Sequence, residues 1–208
     1  YGKACLEGRG FNQISNPEDA VNIPSKKQYI IADGGNHRVI IVDEATKSIL
    51  WESAAGLFNN PIDVEYSATD SLVLVTDRGN NRIVLIRPET NNIVWEFPGS
   101  VEAGDERILN SPSDADLLEN GNILIADEGN QRLLEVDRSN NIVWTFNSKI
   151  PGLKDADRLP NNKHLVVHYD ETFSSNRPKR LGYTDSSFIS RIYDLDREVI
   201  FDKIFWEA

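Results

Sequence analysis

The 208-residue sequence predicts an all-β fold built from four copies of one four-stranded unit. Short segments rich in Ile, Val, Leu and Trp alternate with turns of Gly, Asn, Asp and Pro, which is the pattern of strands and hairpins. A marker position recurs at intervals of 44, 50 and 41 residues, and it is occupied by Asp33, Asp77, Asp127 and His168. No segment keeps the apolar period of a helix over a helical length.

We place the four units at approximately residues 10–54, 55–98, 105–147 and 150–205, within a single domain that spans residues 1–208. Each unit opens with an Asp that lies 14, 14, 13 and 13 residues before the marker position, in chain order. The agreement of separate spacings makes chance a poor explanation. A period of about 40–50 residues with four strands per unit indicates the blade of a β-propeller.

The third and fourth strands of the unit indicate how the blades pack. Residues 39–42 are all apolar, so both faces of this strand are expected to be buried. Blades packed face to face around an axis fit this pattern better than a flat sandwich, whose strands would alternate. Trp51, Trp95 and Trp144 recur in the fourth strands, and we expect them to fill the space between neighbouring blades.

A turn with the sequence Gly-Asn joins the second and third strands of three units, at Gly35, Gly79 and Gly129. We expect each glycine to supply a positive φ for a tight turn. The Asp before the turn and the Arg after it are expected to pair across the hairpin. At a surface position such an ion pair contributes only about 0–1 kcal/mol.

The motif Asp-x-Gly-Asn-x-Arg between two hydrophobic strands resembles the NHL repeat. The longer pattern from Asp114 to Trp144 is also similar to repeats of arylsulfotransferase-like and PQQ-like propellers. The resemblance covers residues 10–145 well and residues 150–205 weakly, and it implies a β-propeller of four NHL-like four-stranded blades. Propellers of these families usually have more blades. The chain would therefore close on itself, form an open arc completed by another chain, or be a fragment of a longer protein.

Composition excludes several classes of function. Lys plus Arg number 22 against 33 Asp plus Glu, giving a net charge of -11, so we expect neither nucleic acid nor an anionic membrane surface as a partner. The longest apolar runs are far too short to insert into a membrane. Cys5 is the only cysteine, which excludes an internal disulfide framework and a Cys-based zinc site.

The opening Asp of each unit forms what we name the aspartate ring, because the first strand of a propeller blade lines the central channel. Its members are Asp19, Asp63, Asp114 and Asp155. Four carboxylates could hold Ca²⁺ in the channel, since hard cations prefer oxygen ligands. Alternatively, each Asp accepts hydrogen bonds from nearby turn amides.

His168 is a channel or catalytic candidate, because it replaces the marker Asp in the fourth unit. The alternative is that this degraded unit only caps the repeat array. His37 stands at a variable turn position and is expected at the surface, and His164 has no evident partner. The arylsulfotransferase resemblance implies a histidine nucleophile with Arg partners, but no motif here places such a set.

Two segments near the end of the chain are candidates for interaction. The long insertion at residues 170–190 contains the basic residues Arg177, Lys179 and Arg180, and the tail contains Phe205 and Trp206. The insertion could contact an acidic patch on a partner, including another copy of this chain, or it could be a solvated excursion.

The sequence thus predicts a non-catalytic, extracellular β-propeller that acts as a binding or self-assembly module, with itself or another protein as partner. The extracellular expectation rests on the family resemblance and on a chain without Met that begins at Tyr1, either processed for secretion or cut from a longer protein. The alternative is a sulfotransferase-like or lyase-like enzyme with a site in the channel. An RNA-binding NHL domain is disfavoured by the negative charge. We expect no cofactor other than the Ca²⁺ considered above.

Overall fold

The computed structural model describes residues 7–10, 13–147, 152–159, 163–168, 189–194 and 197–200. These residues form four antiparallel sheets of four strands each, which confirms the predicted all-β architecture. Blade one contains β1 (Pro17–Ile23), β2 (Gln28–Asp33), β3 (Arg38–Asp43) and β4 (Ile49–Glu52). Blade two contains β5 (Pro61–Ser67), β6 (Leu72–Asp77), β7 (Arg82–Arg87) and β8 (Asn92–Phe97). Blade three contains β9 (Asp114–Leu117), β10 (Ile123–Asp127), β11 (Arg132–Val136) and β12 (Ile142–Asn147). Blade four contains β13 (Leu153–Leu159), β14 (Lys163–His168), β15 (Ile189–Asp194) and β16 (Arg197–Ile200).

Each blade is a meander, because its strands lie side by side in chain order. The first strands carry the contacts from one blade to the next: β5 packs against β1, β9 packs against β5, and β13 packs against β9. This arrangement places β1, β5, β9 and β13 as the inner strands of the propeller. In the part of the chain that is described, no helix is long and apolar enough to cross a membrane.

The hydrophobic core consists of layers between consecutive blades. One layer joins blades one and two, a second joins blades two and three, and a third joins blades three and four. Trp51, Trp95 and Trp144 each pack against one of these layers in turn, as the sequence predicts. β7 is apolar on both faces because its residues belong to the layers on either side of blade two.

The recurring Gly has a different role from the one predicted. Gly79 lies in a short 3-10 turn, and the left-handed conformation belongs instead to Asn81, with a φ of 53°. A Cβ on Gly79 would lie 2.4 Å from the carbonyl oxygen of Asn59. A Cβ on Gly35 would lie 2.6 Å from Ser15 Oγ, and a Cβ on Gly129 would lie 2.5 Å from the carbonyl oxygen of Asn110. Glycine is therefore required by the close approach of two backbones, and the prediction of a positive φ was wrong.

The Asp before this turn is buried and the Arg after it is buried or partly buried, whereas the sequence predicts a surface pair. Asp77 is fully buried, and its Oδ2 accepts hydrogen bonds from Arg82 Nε at 2.7 Å and Asn80 Nδ2 at 2.8 Å. Its Oδ1 accepts from the backbone N–H of Asn59 at 2.8 Å. Arg82 also donates to the carbonyl oxygen of Leu57 at 2.6 Å. This Asp–Arg clamp holds the segment that enters the blade.

The same clamp occurs in blades one and three. Asp33 pairs with Arg38 at 2.6 Å, and Asp127 pairs with Arg132 at 2.7 Å. Both aspartates are completely buried. Because an unpaired buried charge is very costly, the repeat keeps the two residues together. The motif therefore has a structural role in every blade where it is intact.

Candidate functional site

The aspartate ring lies on the inner strands, and three of its described bonds join one blade to the next. A further bond, from Thr76 Oγ1 to Asp63 Oδ2 at 3.2 Å, stays within blade two. Asp19 Oδ2 accepts from the backbone N–H of Val64 at 3.3 Å, and Asp63 Oδ2 accepts from that of Ala115 at 3.3 Å. Asp114 Oδ2 accepts from the backbone N–H of Ala156 at 3.0 Å. The donors are therefore strand amides of the neighbouring blade, and not the turn amides considered in the sequence analysis.

A second tier of carboxyls lies two residues further along three of the inner strands. It comprises Glu65, Asp116 and Asp157, whereas blade one has Val21 at this position. Residues two apart face the same side of a strand, so both tiers are on one side of the inner sheet edges. Glu65 Oε2 accepts from the backbone N–H of Leu117 at 2.6 Å. The sequence analysis missed Glu65, although an acid at the same position in three units was a readable signal.

Burial and mutual repulsion make these carboxyls difficult to ionise. Desolvation, followed by the charge of Asp19, raises the pKa of Asp63 to about 7. Desolvation and the charge of Asp157 raise the pKa of Asp116 to about 8. Desolvation, followed by the charge of Asp63, also raises the pKa of Asp114 well above its usual range. Part of this cluster therefore holds protons at neutral pH.

The structure shows which residues a metal ion would meet. Among the described residues, no group of three or more His, Cys, Asp or Glu side chains is arranged to hold a metal ion. Three ring carboxylates already accept a bond from a backbone amide. Ca²⁺ binding at Asp19, Asp63, Asp114 and Asp155 stays a prediction.

A cavity of about 430 Å³ lies where the inner strands begin, and we name it the mouth cavity. It is lined by Glu18, Asn60, Ile62, Arg78, Ser113 and Lys154. Four of these residues stand at one repeat position, directly before each member of the aspartate ring. Every blade thus contributes one side chain to the mouth cavity from this position, and Asn60 and Arg78 of the blade-two region add two more.

β-Bulges explain why these side chains reach the cavity. The pairing of the first and second strands shifts register at Glu18, at Ile62 and at Lys154. A bulge leaves one residue unpaired and redirects its side chain. The Asp that follows is the same in all four blades, whereas the residue before it differs. In chain order it is Glu18, Ile62, Ser113 and Lys154. The sequence analysis missed this variable position, although its variation between units was visible.

The charges of the mouth cavity are partly neutralised. Glu128 lies between two basic residues, with its carboxylate 2.6 Å from Arg78 Nη1 and 2.5 Å from Lys154 Nζ. Arg78 Nη1 also donates to the carbonyl oxygen of Ser111 at 3.1 Å. Glu18 has only Asn16 as a hydrogen-bond donor among the described residues. The carboxylate of Glu18 is therefore the charge with the most capacity for a ligand.

His37 is exposed as predicted, whereas His164 differs from its prediction. His37 Nδ1 accepts from the backbone N–H of Asn60 at 2.9 Å, so this exposed residue joins blade one to blade two. His164 is 3% exposed, stacks on Trp144 with ring centroids 4.6 Å apart, and accepts from Arg158 Nε at 3.1 Å. The prediction that His164 has no partner was wrong.

The side chains of several candidate residues lie outside the described part of the chain. The backbone of His168 pairs with Leu153 and with Ile189, but its side chain is outside the described part, so its channel role stays a prediction. The structure places residues 189 and 190 in β15, while residues 170–188 of the insertion and the tail from residue 201 lie outside the described residues. The candidates affected are Arg177, Lys179, Arg180, Phe205 and Trp206.

Comparison with known proteins bears on the fold. No family model and no curated protein matches the chain. The WD40 β-propeller domain of Doa1 is similar with a TM-score of 0.58 at 14% identity, over 74% of this chain and 49% of that one. Hydrazine synthase of Kuenenia stuttgartiensis gives 0.62 at 13% identity, over 95% and 52%. A streptogramin B lyase gives 0.58 at 13% identity, over 76% and 53%.

The chain spans about half the length of these structures. Identities this low show the fold alone, and they leave the NHL and arylsulfotransferase-like resemblance a prediction. A WD40 domain and two enzymes stand among the similar structures, so the likeness does not select a function. The four sheets of the described residues and these similarities identify the fold of the chain as a β-propeller.

Proposed function

We propose that the chain is a non-catalytic binding module that takes a positively charged segment of a protein partner at the mouth cavity. One observation carries the proposal. Four blades contribute chemically different side chains to one cavity from a single repeat position, while the adjacent ring Asp is kept for bonds between blades. A volume of about 430 Å³ lies in the range of ligand sites.

The electrostatics favour a cation over an anion. Arg78 and Lys154 share the one carboxylate of Glu128, which neutralises one of their two positive charges, and Glu18 on the lining balances the other. Glu18 retains capacity as an acceptor. On the same strands, the carboxyls of Asp63 and Asp116 ionise only at a cost, and an ammonium or guanidinium group would lower that cost.

The basic insertion of a second copy is a partner with suitable charge. Arg177, Lys179 and Arg180 form a cluster in a chain whose net charge is -11. Insertion of this cluster into the mouth cavity of another copy would give the self-assembly that the sequence predicts. An extracellular location would suit such an assembly and is part of the proposal.

A synthetic peptide of residues 173–183 tests the proposal by calorimetric titration. We expect binding that weakens with added salt and weakens about tenfold in Glu18→Gln, because a charge-assisted contact is lost. Glu119→Gln is the matched control: it makes the same charge change at an exposed position beyond β9. Equal affinities of the two variants would refute binding at the mouth. Light scattering of the native protein tests self-assembly, and a monomer at all concentrations would refute that part.

One observation favours the enzymatic alternative. A pKa of about 7 at Asp63 and about 8 at Asp116 suits groups that exchange protons at neutral pH. A sulfotransferase-like activity would release nitrophenolate from 4-nitrophenyl sulfate in the presence of a phenol acceptor. Turnover that disappears in Asp116→Asn would favour the enzyme over the binding module.

A further inference from the structure

The layer between blades three and four contains a charged cluster where the other layers are apolar. The first layer brings together Ile41, Tyr66 and Val73, and the second brings together Leu85, Leu117 and Ile123. The same three repeat positions in the third layer hold Glu135, Arg158 and His164. All three members of an apolar set have thus been replaced at once.

The replacement residues bond to one another. Arg158 Nη2 donates to the Glu135 carboxylate, and Arg158 Nε donates to His164 Nε2 at 3.1 Å. Glu135 Oε1 also accepts from Asn122 Nδ2 at 2.6 Å and from Asn120 Nδ2 at 3.0 Å. Glu135 is 6% exposed and His164 is 3% exposed. Glu135 and His164 are therefore buried, whereas the side chain of Arg158 is 22% exposed, and all three are well supplied with hydrogen bonds.

Such a cluster adds little net stability, because desolvation of buried charges offsets their attraction. Its physical consequence is selectivity between partners. If blade four packed on an apolar blade face, Arg158 would be buried against Ile or Leu and left unpaired. If blade three received an apolar partner, Glu135 would lose its cation. Both wrong pairings are penalised, whereas blades one and two carry no such charge at these positions.

We propose that Glu135, Arg158 and His164 form a pairing lock that directs blade four to blade three. A chain of similar repeats can pair the wrong blades, or pair blades of two copies, during folding. The lock makes one blade interface chemically distinct from the others. This inference concerns assembly of the propeller and does not depend on the proposed binding function.

Refolding of the full chain tests the lock. The triple variant Glu135→Leu, Arg158→Leu, His164→Ile installs the residues of the second layer. We expect it to fold and to give at least a threefold larger share of associated chains than wild type after refolding at high concentration, measured by size exclusion with light scattering. The single variant Glu135→Leu leaves Arg158 without its carboxylate, and should lower the folding equilibrium constant at least about 100-fold.

A second variant keeps the lock falsifiable if the triple variant fails to fold. Glu135→Gln preserves the shape of the side chain and its acceptor oxygen but removes the charge, so we expect a smaller increase in associated chains. Leu85→Met, at the equivalent position of the second layer, is the matched control and should refold as wild type does. Refolding of Glu135→Gln and of any folded triple variant to the wild-type distribution would overturn the proposal, because a purely structural role leaves partner choice unchanged.

Discussion

Replacement of Asp116 by Asn should make the protein less sensitive to alkaline pH. Asp116 lies on β9, and the carboxyls of Asp157, Glu65 and Asp63 surround its own carboxyl. Among the described residues, none donates a hydrogen bond to the Asp116 carboxyl. Desolvation and these charges raise its pKa to about 8 from an ordinary value of 3.8. A raised carboxyl pKa means that the folded state binds the proton more tightly. The stabilisation that the protonated Asp116 carboxyl gives the folded state is complete below pH 3.8 and is lost as the pH rises through 8.

The magnitude follows from the width of the pH interval. In this range each pH unit costs about 1.4 kcal/mol per proton retained by the folded state. Between about pH 6.5 and pH 8, Asp116 alone should therefore lower the free energy of unfolding by about 2 kcal/mol. An interval that begins at about pH 6.5 also avoids the titration of His164, because this histidine changes its protonation between pH 6.5 and about 4.

Urea denaturation followed by Trp fluorescence at about pH 6.5 and about pH 9 measures the effect. We expect wild type to lose at least about 2 kcal/mol over this interval, and Asp116→Asn to lose about 2 kcal/mol less. Asp137→Asn is the control, because hydrogen bonds from Asn141 lower the pKa of Asp137 and it does not titrate in this interval. A variant with the same pH dependence as wild type would refute the reasoning, as would a wild type that becomes more stable at alkaline pH.

Other substitutions test the turn, the clamp and the buried histidine. Gly79→Ala places a Cβ 2.4 Å from a carbonyl oxygen and should cost about 2 kcal/mol by urea denaturation, whereas Gly34→Ala, with no neighbour under 3.0 Å, should cost less. Asp127→Asn replaces a fully buried carboxylate, leaves the partly buried Arg132 without it and should lower the free energy of unfolding by about 3 kcal/mol, measured by thermal denaturation. Burial lowers the pKa of His164 to about 4, so its contribution is complete above pH 6.5 and declines as the pH falls to 4. Compared with His164→Phe, which keeps the stack on Trp144, wild type should lose about 3 kcal/mol more across that interval.

Much of the fold was predictable because it depends on local pattern. Strand positions follow from apolar segments bounded by turn residues, and the blade follows from the period of the Asp–Arg motif. Trp144 could be assigned to the space between blades because it recurs with Trp51 and Trp95. The role of Gly79 was missed, because a close approach to Asn59 involves a segment twenty residues away.

Less of the candidate site was predictable. The aspartate ring was visible as a repeat, but the bond from Asp63 to the amide of Ala115 joins two blades and is not encoded by either one alone. The bulge at Lys154 decides that its side chain enters the mouth cavity, and no local pattern marked that bulge. The lock was missed because Glu135 reads as an isolated charge until Arg158 and His164 lie beside it.

The sequence by itself determined the repeating unit, the order of its strands and the apolar layers, since these follow from short-range spacing and side-chain type. Only the tertiary structure decided which side chains from different blades meet. Residues some forty to fifty positions apart come together through the rotation of one blade relative to the next. That rotation brings Asp63 and Asp116 into one partly buried group of carboxyls from several blades, and desolvation together with the neighbouring charges raises their pKa values.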